Sequence, residues 1–143
     1  MNLLDSFYTD PKRWGYSFEF YSMLTKIQAL LNAANSDKPI IIIERSILSN
    51  NVFMEVSGEL EKLDKMEFKK LKNAYRFYCQ HVYPCLDGII YLDTPVDECI
   101  RRIKKRNRGE EWGIKKSYLE LLKKKFDEIA NSSTMTVIRT DGM

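Results

Sequence analysis

The chain has 143 residues, of which 44% are hydrophobic, and it carries 23 Lys and Arg against 20 Asp and Glu. This length and apolar content predict one domain, residues 1–143, with a single core. A net charge of +3 is too small to indicate a nucleic-acid-binding surface. No apolar run approaches the roughly 20 residues of a membrane span, and the N-terminal residues resemble no targeting signal. We therefore expect a cytoplasmic protein that binds neither membrane nor nucleic acid, with Cys79, Cys85 and Cys99 reduced.

Hydrophobic periodicity alternates along the chain between helical stretches and short apolar runs, which is typical of an α/β fold. The predicted elements are helices at 14–34, 67–83, 94–105 and 118–129 and strands at 40–43, 89–92 and 136–138. The run at 40–43 is continuous and made of Ile, as in strands that are buried on both faces of a parallel sheet. Thr94 is expected to be an N-cap, with Pro95 at the first helical position. Three buried strands interleaved with helices predict a doubly wound parallel sheet with flanking helices.

Glu44, Arg45 and Ser46 directly follow the strand predicted at 40–43. Ligands of open parallel sheets bind beyond the carboxyl ends of the strands. A carboxylate and a guanidinium at this place could orient a hydroxyl nucleophile and stabilise phosphate oxygens. The alternative is a structural ion pair at the start of the next helix, with Ser46 as its N-cap. Position alone does not decide between the two.

A second charged cluster lies between residues 101 and 111. Its members are Arg101, Arg102, Lys104, Lys105, Arg106, Arg108, Glu110 and Glu111. Such runs are usually solvated helix faces. Here Asn107 and Gly109 weaken the helix among the basic residues, and the R-x-R-x-x-E pattern would let a flexible segment close over a polyphosphate. A lid at about residues 104–112 is therefore the alternative prediction.

Four sequence blocks, in order, resemble the deoxynucleoside kinase family. They are N-L-L at 2–4 with Tyr8, D-P-K-R-W at 10–14, Phe18 and Tyr21; Glu44-Arg45-Ser46; L-D-G-I-I-Y-L at 86–92; and the segment 106–111. The resemblance implies a fold of the P-loop nucleoside kinase type and transfer of a phosphoryl group from ATP, with Mg²⁺, to the 5′-hydroxyl of a deoxynucleoside. It also implies a homodimer.

The resemblance assigns roles to single residues of the acceptor site. Tyr8 and Glu111 would hold the deoxyribose 3′-hydroxyl, and Phe18 would stack on the base. Arg45 would contact the 5′-oxygen and the migrating phosphoryl group, with Glu44 beside it. These roles agree with the physics of phosphoryl transfer, which depends mainly on positioning and on cationic stabilisation.

The donor nucleoside triphosphate would be bound by residues of the lid and by Arg102, which precedes it. Arg106 and Arg108 would clamp its phosphates, and Arg102 would stack on its base. No residue of the chain is assigned to a metal ion.

The phosphate loop is the first departure from the family pattern. No G-x-x-x-x-G-K-[S/T] motif occurs in the sequence, and the six glycines are too scattered to form one. The resemblance implies that the first strand, the phosphate loop, the first helix and the general base would all precede Met1. We therefore expect that this chain alone does not transfer phosphoryl groups efficiently.

The base-reading positions are the second departure. Glu19 stands where the resemblance implies a Gln, and an ionised carboxylate can only accept hydrogen bonds. Glu19 would therefore favour guanine, and a thymine or adenine edge would need a protonated Glu19; loss of specificity is the alternative. The resemblance implies that members of the family that use purine or cytosine nucleosides carry Arg and Asp at the positions of Lys26 and Asn50. We infer a weak preference for purine or cytosine nucleosides over thymidine.

Two other functions compete with the kinase hypothesis. A non-catalytic nucleoside-binding or dimerising subunit would need no phosphate loop. A thymidylate-kinase-like nucleotide kinase would share the sheet and the lid, but the pairing of Tyr8 with Glu111 argues against it.

Overall fold

The computed structural model describes residues 3–81 and 86–142. The chain divides into two compact units, Met1–Pro84 and Cys85–Met143. The described helices of the first unit are α1 (Leu3–Thr9), α2 (Pro11–Ala34), α3 (Ile47–Glu59) and α4 (Lys65–His81). Among the residues that the structure describes, no helix has the length and apolarity needed to cross a bilayer.

Helix α2 begins at a strong local start signal. Asp10 is its N-cap and accepts a hydrogen bond from the Arg13 backbone N–H at 3.1 Å, while Pro11 takes a position that needs no hydrogen-bond donor. The predicted long helix at 14–34 is therefore confirmed and begins three residues earlier, at Pro11.

Helix α3 begins at Ser46, which confirms this residue as an N-cap. The Ser46 hydroxyl accepts from the Leu48 N–H at 3.3 Å, and the Ser46 N–H donates to the Ser49 hydroxyl at 3.4 Å. This reciprocal pair satisfies backbone donors that the first turn would otherwise leave unpaired. The structure shows no ion pair between the described side chains of Glu44 and Arg45, so that part of the structural alternative is wrong.

The strand predicted at 40–43 is not formed, and this prediction is wrong. The segment has no regular secondary structure, and the side chains of Ile40 and Ile42 are 80% and 79% exposed. A β-branched run becomes a strand only when a neighbouring strand pairs with its backbone. The two described strands pair with each other, and neither pairs with this segment.

Two apolar clusters hold the helices of the first unit together. Met23 and Ile27 of α2 pack with Ile47 at the start of α3. Met54 of α3 and Leu71 of α4 pack with Leu63, which lies between these helices. Helix α3 thus packs against α2 in the first cluster and against α4 in the second.

The close approach of α2 to the segment after α3 depends on Gly15. A Cβ at this position would lie 2.7 Å from the Lys62 carbonyl oxygen and 3.3 Å from Leu63 Cδ2. We expect Gly15→Ala to lower the free energy of unfolding by about 1–2 kcal/mol, since the overpacking cost exceeds the gain in helix propensity. Urea unfolding followed by circular dichroism measures this change.

Gly109→Ala is the matched control, because a Cβ at Gly109 would meet no atom within 4 Å. Equal stability of the two variants would contradict the proposed close approach.

The second unit contains a strand–helix–helix–strand arrangement. Its elements are β1 (Gly88–Asp93), α5 (Val96–Arg106), a 3₁₀ helix (Gly109–Glu111), α6 (Lys116–Ser132) and β2 (Thr136–Asp141). The strands are parallel, with register from Gly88 opposite Thr136 to Asp93 opposite Asp141. The parallel sheet with flanking helices confirms the α/β class, and both strands lie where apolar runs predicted them.

The ends of α5 differ in part from the prediction. Pro95 is the N-cap and no side chain caps the helix, so Thr94 as N-cap is wrong; its hydroxyl lies 3.5 Å from the Gly142 carbonyl oxygen instead. At the other end Asn107 adopts a left-handed conformation with φ of 52°, which ends the helix at Arg106. Asn107 therefore interrupts the basic cluster as predicted.

Candidate functional site

A row of polar contacts joins α2 to α3 and to the segment before it. Ser57 donates to Glu19, Asn50 donates to Ser22, and Lys26 donates to the Glu44 carbonyl oxygen. Positions 19, 22 and 26 follow the three- and four-residue spacing of one helix face. We call these three contacts the polar seam. It brings together the predicted base-reading positions 19, 26 and 50.

Glu19 is the most deeply buried charged residue of the seam, with 1% of its surface exposed. Its Oε1 accepts the Ser57 hydroxyl at 2.8 Å, while its Oε2 has no hydrogen-bond partner among the described residues. Burial raises the pKa of the Glu19 carboxyl to about 7, against the opposing effects of the Ser57 hydrogen bond and the Lys62 charge. The group is thus poised to change protonation near neutral pH.

Asn50 is the second buried seam residue with an unmet hydrogen-bonding atom. It is 3% exposed, and its Nδ2 donates to the Ser22 hydroxyl at 2.9 Å. Its Oδ1 has no partner among the described residues. Buried polar atoms are nearly always hydrogen-bonded, so each of these two oxygens requires a partner such as a water molecule or a ligand.

Aromatic rings adjoin the seam at its Glu19 end. Phe18 stacks on Phe7 with ring centroids 4.6 Å apart and planes 11° apart. Phe7 in turn contacts the Tyr8 ring at 5.5 Å, and Lys62 Nζ lies 5.1 Å from the Phe7 centroid. Phe7 therefore backs one face of Phe18 and links it to Tyr8. This supporting role was not predicted from the sequence.

Glu44 and Arg45 lie exposed just before α3. Arg45 has a φ of 60°, a conformation that is unusual for a residue with a side chain. Its guanidinium lies over the Phe53 ring, 4.9 Å from the centroid. The only Glu44 contact described is the hydrogen bond that its carbonyl oxygen accepts from Lys26 at 3.0 Å.

In the second unit, Arg106 and Glu111 form a two-pronged ion pair. Arg106 Nη2 lies 2.6 Å from Glu111 Oε1, and Arg106 Nε lies 3.0 Å from Oε2. Glu111 is buried, whereas Arg106 is half exposed. The two residues predicted to act on the donor and on the sugar are thus each other's partners in this structure.

The other two arginines of the predicted donor site differ in their surroundings. Arg102 donates to Glu98 at 2.7 Å and to the Gly142 carbonyl oxygen. Arg108 is exposed and has no hydrogen bond or ion pair with the side chains that the structure describes.

A charge network at the end of β1 was not predicted from the sequence. Asp93 pairs with Lys123 and with Arg139, the latter at 3.2 Å, and Tyr91 donates to Asp127 at 3.0 Å. The Lys123 hydrogen bond lowers the pKa of the Asp93 carboxyl. Burial, together with the bond to Asp127, raises the pKa of Tyr91 to about 12. The partners are 30 or more residues apart, so no local pattern indicates them.

No three His, Cys, Asp or Glu side chains converge on a metal-binding geometry within residues 3–81 and 86–142. The sequence also lacks the Ser or Thr hydroxyl of a phosphate loop.

A family model, "Deoxynucleoside kinase", matches residues 1–143. This chain belongs to the deoxynucleoside kinase family. It is 34% identical to a probable deoxycytidine kinase of fowlpox virus, over 89% of this chain and 54% of that protein. It is 33% identical to human deoxycytidine kinase, over 85% of this chain and 50% of that protein. The chain spans about half the length of the curated relatives it matches.

A solved structure of deoxyadenosine kinase from M. mycoides, with the products dCMP and a flexible dCDP bound, is similar over most of this chain. The TM-score is 0.82 at 28% identity, covering 98% of this chain and 71% of that one. The fold of this family member is therefore part of the P-loop nucleoside kinase type, as the resemblance implied.

Proposed function

We propose that this chain binds a deoxynucleoside at the polar seam of its first unit. The observation that carries the proposal is the presence of two buried oxygens, Glu19 Oε2 and Asn50 Oδ1, without partners among the described residues. Phe18, the neighbour of Glu19, is supported on one ring face by Phe7. The base would stack on Phe18 and direct its polar edge to Glu19 and Asn50.

The remaining roles follow from the family and stay proposals. Tyr8 and Glu111 would hold the 3′-hydroxyl of the sugar, with Tyr8 tied to the Phe18 stack through Phe7. In this structure Glu111 is paired with Arg106. Glu44 and Arg45 would act at the 5′-oxygen, since both are exposed and near the start of α3.

The donor side would be formed by Arg102, Arg106 and Arg108. Arg108 is supported best, because it is exposed and unengaged by described side chains. Arg102 is paired with Glu98, and Arg106 is paired with Glu111. Each arginine would have to leave its carboxylate partner before it could bind the donor nucleotide. Planar guanidinium groups suit this task, since they bind phosphate through paired hydrogen bonds.

The reaction of the site would be transfer of the γ-phosphoryl group of ATP to the 5′-hydroxyl of the nucleoside. Mg²⁺ would neutralise charge on the donor phosphates. A nucleoside-binding subunit without turnover remains the second candidate function. A homodimer in the cytoplasm remains the proposed assembly and location.

The proposed base preference is for purine or cytosine nucleosides over thymidine. Asn50 supports this, because its buried Oδ1 can accept a hydrogen bond from an exocyclic amino group, which thymine lacks. Lys26 is engaged with the Glu44 carbonyl oxygen and supports the preference less directly. Weaker binding of thymidine than of deoxycytidine and deoxyguanosine is the expected order in calorimetry.

Phe18→Ala tests the binding site directly. Base stacking contributes about 1–3 kcal/mol, so the affinity for deoxycytidine is expected to fall about 10- to 100-fold. Isothermal titration calorimetry on the full chain measures it. Tyr21→Ala is the matched control, because Tyr21 is an exposed aromatic residue of the same helix.

Equal nucleoside affinity in the Phe18→Ala and wild-type chains would contradict the proposed stacking. Binding without product formation in the presence of ATP and Mg²⁺ would favour the subunit over the kinase.

A further inference from the structure

The hydrogen-bonding character of Glu19 depends on whether it carries a proton. When it is ionised, both oxygens only accept, which suits a base edge with two adjacent donors, such as that of guanine. When it is neutral, one oxygen donates and the other accepts. That arrangement suits an edge with an acceptor beside a donor, such as that of cytosine.

The hydrogen bond with Ser57 indicates which oxygen of Glu19 would carry the proton. Ser57 donates to Oε1 at 2.8 Å, so Oε1 is already used as an acceptor. Oε2 has no partner within the described parts of the chain and is buried with the rest of the side chain. The proton therefore belongs on Oε2, where a base acceptor would receive it.

We propose that Glu19 selects the base according to its protonation state, the neutral form binding cytosine-type edges through an Oε2–H donor and the ionised form binding guanine. This inference rests on the proposed function, because it requires the base to lie beside Phe18. On this proposal, the presence of Glu19 where the family pattern has Gln changes the base specificity and does not abolish it.

The groups packed around Glu19 allow both forms near neutral pH. Lys62, which follows α3, favours the ionised form through its charge, and so does the hydrogen bond from Ser57 of α3. Burial favours the neutral form and outweighs both, which raises the pKa of Glu19 to about 7. Lys26, on the same helix as Glu19, is engaged with the Glu44 carbonyl oxygen.

Proton exchange on binding tests the proposal in the full chain. Calorimetry at about pH 7 in two buffers of different ionisation enthalpy gives the number of protons exchanged. Deoxycytidine is expected to take up about half a proton and deoxyguanosine to release about half. At about pH 8 deoxycytidine should bind about tenfold more weakly than at about pH 6, and deoxyguanosine should bind about tenfold more tightly.

Glu19→Gln is the diagnostic variant, because an amide keeps one donor and one acceptor at every pH. It should bind deoxycytidine equally at both pH values, without proton exchange, and should bind deoxyguanosine more weakly than the wild type does at about pH 8. Glu61→Gln is the matched control, since Glu61 is exposed. It should keep the wild-type proton exchange.

The possible failures are distinguishable. Nucleoside binding by the wild type without proton exchange, or proton exchange that persists in Glu19→Gln, would overturn this inference and leave the proposed function standing. No binding of any nucleoside by either chain at either pH would overturn both.

Discussion

The stability advantage of Glu19→Gln over the wild type is expected to grow by about 2–3 kcal/mol between about pH 5 and pH 8. The ordinary pKa of this carboxyl is 4.5, and burial raises it to about 7 in the folded protein. Between these values the folded state binds more protons than the unfolded state, so the stability of the wild type falls as the pH rises. Gln has no titrating proton, so the stability of the Glu19→Gln variant does not fall in this way as the pH rises.

Urea unfolding at several pH values, followed by circular dichroism, measures the difference between the two chains. The pH dependence is the decisive quantity, because any constant cost of burying the amide cancels from it. Glu61→Gln is the control, and its stability difference from the wild type should not change with pH, since Glu61 is exposed. Parallel curves for Glu19→Gln and the wild type would contradict the raised pKa.

This prediction also explains why a protein would keep a carboxyl group at such a place. At neutral pH a buried, half-paired carboxylate destabilises the fold, and an apolar side chain of similar size would not. Residues that lower stability in this way are commonly kept for binding or catalysis. Ser57 and Lys62 then serve to limit the cost while leaving Oε2 without a partner.

Local signals in the sequence were sufficient for most of the helices and strands. Periodicity located α2, α4 and α6, helix-start residues located α5, and short apolar runs located β1 and β2. The Ile run at 40–43 failed because a strand is a property of two paired segments, and this segment has no partner among the described residues. The Thr94 cap failed because Pro95 itself occupies the cap position.

The candidate site was less accessible to sequence reasoning than the fold was. Resemblance named Phe18, Glu19 and Asn50, but not the residues that determine what they can do. Ser57 lies 38 residues from Glu19 and has no distinguishing neighbour in the sequence. Phe7 appears only as one more aromatic residue of a short helix. The unmet atoms of the seam become visible only when burial and hydrogen bonding are known atom by atom.

Leu71→Ala is expected to lower the free energy of unfolding by about 2–5 kcal/mol, the range for a buried Leu whose cavity cannot collapse. Leu71 is 0% exposed and packs with Met54 of α3 and with Leu63. Urea unfolding measures the loss. Leu24→Ala, at a position that is 37% exposed on α2, should cost much less. Similar losses in the two variants would contradict the assignment of this core.

Leu71→Ala also distinguishes residues that stabilise the binding site from residues that contact the nucleoside. Leu71 helps to hold α3, which carries Asn50 and Ser57, but Leu71 belongs to no pair of the polar seam. Its loss should therefore weaken nucleoside binding only through the fraction of unfolded chains, and conditions that restore folding should restore the affinity. Phe18→Ala, which removes the stacking surface, should remain defective under those conditions. Two variants with opposite responses to a stabilising condition would show that the seam binds the nucleoside and that the α3–α4 core holds it in place.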